Sequence, residues 1–579
     1  MFWQLHSLAN PTLIFLITSI LLFTQGLNPT INQTLLNLVN PFIGTGGIGF
    51  GSGTMSPMVQ VPYGMIRVGP DTTNTFDINV PFEHPGGFYY NDDYIVAFSH
   101  THLVGAGVPD LGNLGLMPVT ATGQLNYKTV TEKSSYYDKS SQVAVPGYYS
   151  VHLERYGVKV ELTAATYTAV HRYTFQKGDE KYILLDASHT ISPGNCKIAQ
   201  VNITKSMNQI EGYMLDSGKL AGRSYFQDKT EGGVKVYFVA QVVGASVESA
   251  GVWNEKQVLE NVLSTTGNVA GAYIKLNSKT QQVLIYLAIS YIGVEQAKIN
   301  FQSEVIQQGQ LLSFEQVQEQ TQIKWSNQLS KVQVSSAKSS KDNLIKFYTA
   351  LYQASMAPTT YSEAGGVYRG FDFNIHKLES NQSAFYSDMR YVLFSQDLTQ
   401  NSHSIWDVHR TQFPWIGFID QPTYEDIILS MLQMYDQAGF LPKWPLAYGE
   451  TSGMTGSYST NIIVEGYLKN LLSQKIDIRK AYKGMKECAN IALNYVGRYN
   501  PQDYIPVHTE LRTAQDQSAP RTTFDVINCA GCFFNSKSSD MRFPSVSSCF
   551  LLLVTINLSG NLLYFCLLLP FQIFLNILK

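Results

Sequence analysis

Charge is what this sequence has little of. Only 15% of its 579 residues are Asp, Glu, Lys or Arg, against roughly 25% in soluble proteins at large. The net charge is −3, and nothing in that balance favours nucleic acid or an acidic membrane surface as a partner. Cysteine is equally sparse, with six in the whole chain, so a disulfide framework is excluded. Cys196 and Cys488 stand alone. Cys529-Ala-Gly-Cys532 has redox or zinc spacing, but no second pair or nearby histidines complete a site. Long apolar runs are confined to the two ends.

The run at 13–23, L-I-F-L-I-T-S-I-L-L-F, is too short to span a bilayer comfortably and fits the core of a signal peptide over 1–26. Only His6 stands in for the usual basic start, and an uncleaved anchor is the competing reading. Passage into the secretory pathway, to an extracellular or lumenal destination, would give meaning to the glycosylation acceptors Asn32, Asn202 and Asn381. At the other end, from about 526 the composition shifts abruptly, and 549–579 is almost uncharged. Three readings stay open for this apolar tail: a transmembrane segment giving membrane association, a GPI-type signal lacking its polar spacer, or residues that are not native coding sequence.

What is abundant is aromatic: 35 tyrosines and 30 phenylalanines. Tyrosine suits sugar faces, with its apolar ring and polar tip, and it equally suits β-sheet. Short β-rich runs broken by glycine and proline fill 38–289, among them 147–153, 158–164, 170–175, 182–185, 234–243, 272–276 and 282–289. They predict an N-terminal β-sandwich over 37–292. Gln-rich sequence then gives a helical linker over 293–342, its apolar stripe made by Ile299, Phe301, Val305, Ile306, Leu311, Leu312 and Phe314. Helices are expected at 343–357, about 406–411, 424–438, 460–472 and 476–496, with Gly439 and Gly497 as stops.

The most specific stretch is 98–118, F-S-H-T-H-L-V-G-A-G-V-P-D-L-G-N-L-G-L-M-P. His100 and His102, two apart in a strand-like run, share a face. Around them lie Asn40-Pro41-Phe42-Ile43-Gly44-Thr45-Gly46-Gly47, Val61-Pro62-Tyr63-Gly64-Met65, Gly69-Pro70-Asp71-Thr72, Gly87-Phe88-Tyr89-Tyr90-Asn91-Asp92, Pro146-Gly147-Tyr148-Tyr149, and Glu161-Leu162-Thr163-Ala164 running to His171-Arg172-Tyr173-Thr174-Phe175. Taken in order, these segments resemble the glycoside hydrolase family 92 α-mannosidases. Ser404-Ile405-Trp406-Asp407-Val408-His409-Arg410 and the stretch 431–445 continue the likeness. Pro57-Met58 departs from it where Pro-Gly is usual, as do Ser457-Tyr458 where a histidine is expected and Glu465 where aspartate is usual. The 14 residues 390–403 look like an insertion ahead of Trp406.

The resemblance implies a β-sandwich followed by an (α/α)6 toroid, here incomplete and confined to 343–525. It implies secreted, calcium-dependent, inverting hydrolysis of terminal α-mannosides, with mannose-containing glycans as partners. Trp406, Asp407, Arg410, Glu450 and His102 are the implied substrate-binding residues. Asp407 and Arg410 sit at i, i+3, where a carboxylate and a guanidinium can share sugar hydroxyls beside an indole wall. For His100 and His102 a metal site would need further ligands, for which Asp110 is the nearest candidate. Calcium prefers oxygen donors, so a structural or substrate-facing role is favoured and the calcium ligands stay unassigned.

An inverting glycosidase needs an acid and a base roughly 6.5–9.5 Å apart. The family's acid lies in a G-N-E-P-S-H-type motif and its base in a D-D-C-G-Q-M-S-A-W-type motif, and neither occurs in this sequence. The chain as given is therefore expected to be inactive, with no catalytic residue to assign. The alternative is a non-catalytic, membrane-tethered, mannose-binding lectin-like protein. An open toroid would expose unpaired helix faces, so a proteolytic core ending near residue 300 is expected.

Overall fold

A computed structural model describes residues 31–490, apart from 48–52, 75–83, 106, 124, 127–129, 131, 177–179, 219–220, 222–231, 336–338, 390–407 and 452–457, together with the backbone of 549–558 and 561–570. Two units are distinct, 1–528 and 529–579, and each is taken by itself.

The first unit begins as two antiparallel sheets. One runs Gly69–Thr73, Tyr94–Ser99, Gly115–Ala121, Glu180–Asp186, Ala270–Leu276, Val247–Asn254 and Val258–Glu260, with Ser135–Tyr136 added beside the second strand. The other runs Ser264–Gly267, Cys196–Ile203, Gln209–Asp216, Val234–Val243, Gln282–Ser290, Thr168–Phe175, Val158–Ala164, Tyr148–Leu153 and Val143–Val145. Alternation explains the pairing. Val158, Val160 and Leu162 point inward from one strand and meet Val236, Ile285 and Leu184 in a shared core. All seven strand runs read from the sequence are present, two of them, Val158–Ala164 and Val234–Val243, with unchanged bounds.

The predicted linker is part of this domain's packing. It forms two helices, α2 (Val294–Val305) and α3 (Phe314–Ser330), following a short α1 (Gln33–Leu36). A hairpin joins them, turning through Gln308 (φ 52°) and Gly309 (φ 76°). α3 opens with a capping box between Ser313 and Gln316. Val305, Leu312, Phe314 and Val317 bury Val170 and Tyr286 of the second sheet. The predicted stripe holds for Phe301, Val305, Leu312 and Phe314. It fails for Ile299, which is exposed, because it lies two residues from both buried Ala297 and Phe301 and so faces away from their side of α2.

Among the described residues five helices follow: α4 (Lys341–Ala354), α5 (Gln412–Ile419), α6 (Gln421–Ala438), α7 (Ser459–Leu468) and α8 (Ile478–Asn490). α6 is the hub, buried from Tyr424 through Tyr435 and stopped at Gly439, whose φ is 82°. The helix expected at 406–411 differs. Trp406 and Asp407 lie outside the described residues; Val408 is helical, His409 and Arg410 turn, and α5 starts at Gln412. Pro414 explains the start, since proline is tolerated only within a helix's first turn. The helix expected to reach 472 stops at Leu468, because Asn470 takes the left-handed conformation (φ 60°). Gly497 lies outside the described residues.

The hydrophobic core does not divide at residue 300. Tyr361, Phe385, Phe413, Ile427 and Trp444 belong to the same contiguous cluster as Val119, Val160 and Val236 of the sandwich.

In the second unit, Cys549–Leu558 pairs antiparallel with Asn561–Pro570. Among the described residues no helix is long and apolar enough to cross a membrane. A spanning helix had been one reading of the tail. Two ten-residue apolar runs meeting at Ser-Gly instead carry a hairpin signal.

Candidate functional site

His100 and His102 part company in the fold. The strand ends at Ser99, and beyond it the two rings enter separate networks. His100 Nδ1 donates to the Leu114 carbonyl (2.5 Å), so its Nε2 is an acceptor. His171 Nε2 donates to that atom (2.9 Å), and the Tyr173 hydroxyl donates to His171 Nδ1 (2.8 Å). Proton positions are thus fixed along a chain joining the two sheets. Complete burial pushes the His100 imidazole down to about 3 and His171 well below its usual value. Both rings are neutral, and their nitrogens serve cohesion.

His102 is the more consequential ring. Nδ1 faces the Arg67 carbonyl (2.9 Å), which can only accept. Nε2 lies 2.7 Å from Asp71 Oδ1 and 3.0 Å from Ser99 Oγ. Both ring nitrogens are thus committed to oxygen partners. The second oxygen of Asp71 accepts from His189 Nε2 (2.7 Å). Burial alone would raise the Asp71 carboxyl, but the charge and hydrogen bonds of the two imidazoles outweigh it and hold the group well below the usual carboxylate range. Gly87 (φ 85°) lies flat over the pair: a Cβ there would sit 2.3 Å from Asp71 Oδ1 and 2.9 Å from the His102 ring. Asp71 stands in one of the motifs that carry the family resemblance, yet its sequence neighbourhood gives no hint of its two imidazole partners.

Arg67 links this pair to the helical region. It is buried, and its donors reach Gln60 Oε1 (3.0 Å), the His102 carbonyl (3.0 Å), the Met356 carbonyl (3.0 Å), Thr359 Oγ1 and Asp388 Oδ2 (3.0 Å). Asp388 itself has φ 53°. The only sequence signal for Arg67 is a charge in the apolar run Met65-Ile66-Arg67-Val68.

Of the sequence-predicted sugar residues, Trp406 and Asp407 lie outside the described residues, as does the 390–403 segment. Arg410 is exposed, and its Nε donates to His409 Nε2 (3.3 Å). The His409 ring stacks on Tyr458 at 4.3 Å. Glu450 is fully buried. Its oxygens accept from the amides of Lys443 (2.8 Å) and Trp444 (2.8 and 3.0 Å), so it braces the 443–450 turn. Asp110 is also buried and accepts from the Ala221 amide (3.0 Å). Burial first, and then the charge of Asp110, pushes the Asp216 carboxyl up to about 7. Among the described residues no group of three or more His, Cys, Asp or Glu side chains is placed to hold a metal ion. Cys196 and Cys488 are buried, the Cys488 sulfur accepting from the Leu441 amide (3.1 Å), and Cys529 and Cys532 lie outside the described residues.

The acceptor asparagines differ in access. Asn32 caps α1 and is exposed, as is Asn381, whereas Asn202 sits within a strand and accepts from Ser264 Oγ (2.6 Å).

Residues 38–290 match the glycosyl hydrolase family 92 N-terminal domain and residues 296–525 the family 92 catalytic domain. None of the curated proteins matches the chain. Among solved structures, a family 92 α-mannosidase from Bacteroides thetaiotaomicron is 27% identical, with a TM-score of 0.66 over 79% of this chain and 56% of its own. The same enzyme in complex with mannoimidazole gives 0.67. A family 92 inverting mannosidase from that organism, 22% identical over 79% of this chain and 56% of its own, shares the fold at 0.64. The chain thus spans a little over half the length of these solved relatives. With both family domains matched in order over 38–525, and with a β-rich domain leading into helices as in the solved enzymes, the chain belongs to glycoside hydrolase family 92.

Proposed function

We propose that these 579 residues carry the mannoside-binding part of a secreted, inverting α-mannosidase acting on terminal α-mannosides of glycans, and that by themselves they bind without hydrolysing. The observation that carries this reading is the match of both domains to family 92, with a relative solved on mannoimidazole. In this proposal the helices are the opening part of an (α/α)6 toroid. Trp406 supplies an apolar wall to a sugar ring, and Asp407 and Arg410 accept from and donate to its hydroxyls.

Hydrolysis with inversion needs one carboxylic acid on the leaving oxygen and one carboxylate on a water across the ring. Neither family motif for these groups is in the sequence. Three of the buried carboxylates among the described residues are otherwise engaged: Asp71 by two imidazoles, Asp388 by Arg67, Glu450 by backbone amides. Calcium, which the family implies, finds no ligand set among the described residues. The His100 and His102 nitrogens and an Asp110 oxygen already have protein partners. No step is derived through it.

Calorimetry with methyl α-mannoside and mannose release from an α-mannobiose test the proposal. Saturable binding without release is expected. Release that a chelator abolishes would overturn the claim of inactivity, and absence of both signals would overturn the mannoside reading. A lectin-like protein is the second reading, favoured by the same lack of acid and base. Retained binding in a chain that never gains turnover when supplied with further family 92 sequence would select it.

A further inference from the structure

The outer face of the second sheet is covered only in part. α2 lies over Val239 and Ala288, and α3 over Val170 and Tyr286. On Cys196–Ile203, Ala199, Val201 and Ile203 point into the sandwich core, so Gln200 and Asn202 take the outer face. On Gln209–Asp216, Ile210 and Met214 belong to the core, and Glu211 and Tyr213 face outward. Register then builds a corner. Asn202 stands opposite Glu211 on one side and Ser264 on the other. Tyr213 stands opposite Gln200 and Tyr237. It is thus the diagonal neighbour of Asn202, a separation of about 7–8 Å that an aromatic side chain bridges.

The side chains in this corner are oriented. Asn202 Oδ1 accepts from Ser264 Oγ (2.6 Å), and Asn202 Nδ2 has no partner among the described residues. Glu211 is drawn away to Lys298 of α2 (3.0 Å). The half-buried Tyr213 ring lies 5.9 Å from that of Tyr237. Lys235 Nζ is 5.1 Å from its centre, and Lys235 stands opposite Leu215, beyond Tyr213 as seen from Asn202. Asn202-Ile203-Thr204 is an acceptor triplet. Asn202 is the penultimate residue of its strand, next to the turn that Met207 makes at φ 58°. A sugar joined to Nδ2 there meets an aromatic ring already held by its neighbours.

We propose that Asn202 is an N-glycosylation site whose first sugar, an N-acetylglucosamine, lies against the Tyr213 ring. In the modification, Nδ2 attacks C1 of an oligosaccharide carried on a lipid pyrophosphate. The C–O bond to pyrophosphate breaks, the N–C bond forms, and the Nδ2 proton passes to the transferring enzyme. The C–H face of the sugar then covers apolar ring area while its hydroxyls stay in water. This rests on the secretory reading above.

The test secretes the full chain from a eukaryotic host and removes its glycans with a peptide N-glycosidase in 18O water, so that each occupied asparagine becomes a labelled aspartate for mass spectrometry. A label at Asn202 is expected. Glycan removal should also lower the melting temperature of the unaltered chain by about 2 °C more than that of its Tyr213→Ala variant. A label at Asn32 or Asn381 with Asn202 bare would overturn the inference and leave secretion standing. If none of the three is labelled, both fall. A label at Asn202 with equal melting shifts in the two chains would overturn the contact with Tyr213. Should Y213A fail to fold, a nuclear Overhauser contact between the Tyr213 ring and the sugar in the unaltered glycoprotein decides: its presence upholds the inference and its absence overturns it.

Discussion

Arg67 and Asp388 show how much one residue pair can carry. A buried ion pair gains little over an apolar substitute, but removing one partner strands the other charge in a low-dielectric interior. Arg67→Met leaves Asp388 without its guanidinium and also strips donors from the Gln60 side chain and the Met356 carbonyl. A loss of about 3–5 kcal/mol is expected, read as a shift in urea midpoint; a change under about 1 kcal/mol would mean that water replaces the guanidinium. The histidine chain across the sheets predicts pH behaviour. His100 ionises near 3 in the fold and near 6.5 when unfolded. The unfolded chain therefore binds more protons between those values, and stability rises with pH across that window. His100→Gln should flatten the rise. Glu363 works the other way. Burial pushes its carboxyl up to about 7, above roughly 4.3 when unfolded, so its contribution is fully present at low pH and fades as pH climbs to about 7. Glu363→Gln should remove that decline in a pH series of melts, and an unchanged slope would count against a protonated Glu363.

At the scale of elements, helix ends and strand periods speak plainly in the sequence. Gly439 was legible as a stop after 424–438, and it caps α6 with its amide on the Tyr435 carbonyl (2.8 Å). At φ 82° an alanine is strained, so Gly439→Ala should cost about 1 kcal/mol in chemical denaturation. No loss would mean that the cap relaxes freely. Strands 158–164 and 234–243 were legible because alternation of apolar and polar residues is a local signal. The hairpin splitting the Gln-rich helices was missed, since its signal is one Gln-Gly pair. The site was legible only as parts. His102 stood out, but its partners Asp71 and His189 lie 31 residues before it and, counted from Asp71, 118 residues on. Arg67 and Asp388 are 321 apart. No local period encodes a pairing of that span; the tertiary fold alone supplies it.

At the scale of the whole molecule, the sandwich and the helices share one core. α2 and α3 cover Val170, Tyr286, Val239 and Ala288. A chain ending at residue 292 would bare that face and lose every partner that Arg67 has beyond 350. Such a chain should lack a cooperative melt or aggregate on sizing. A sharp transition within a few degrees of the full chain would show that the sandwich is self-sufficient.

The amino-terminal residues are stitched to late ones throughout: the Asn32 amide to Ser326 Oγ, the Asn40 amide to Thr349 Oγ1, and Trp325 Nε1 to the Gln60 carbonyl. During synthesis, at about 5–20 residues per second, the segment 31–68 must therefore wait some tens of seconds for its partners to leave the ribosome. Over that interval Leu36, Val39, Met55 and Met58, which end in one cluster with Trp325 and Tyr352, have no native surface to cover them. The nascent chain is most in need of a chaperone at its beginning, and the need ends only when α4 has emerged.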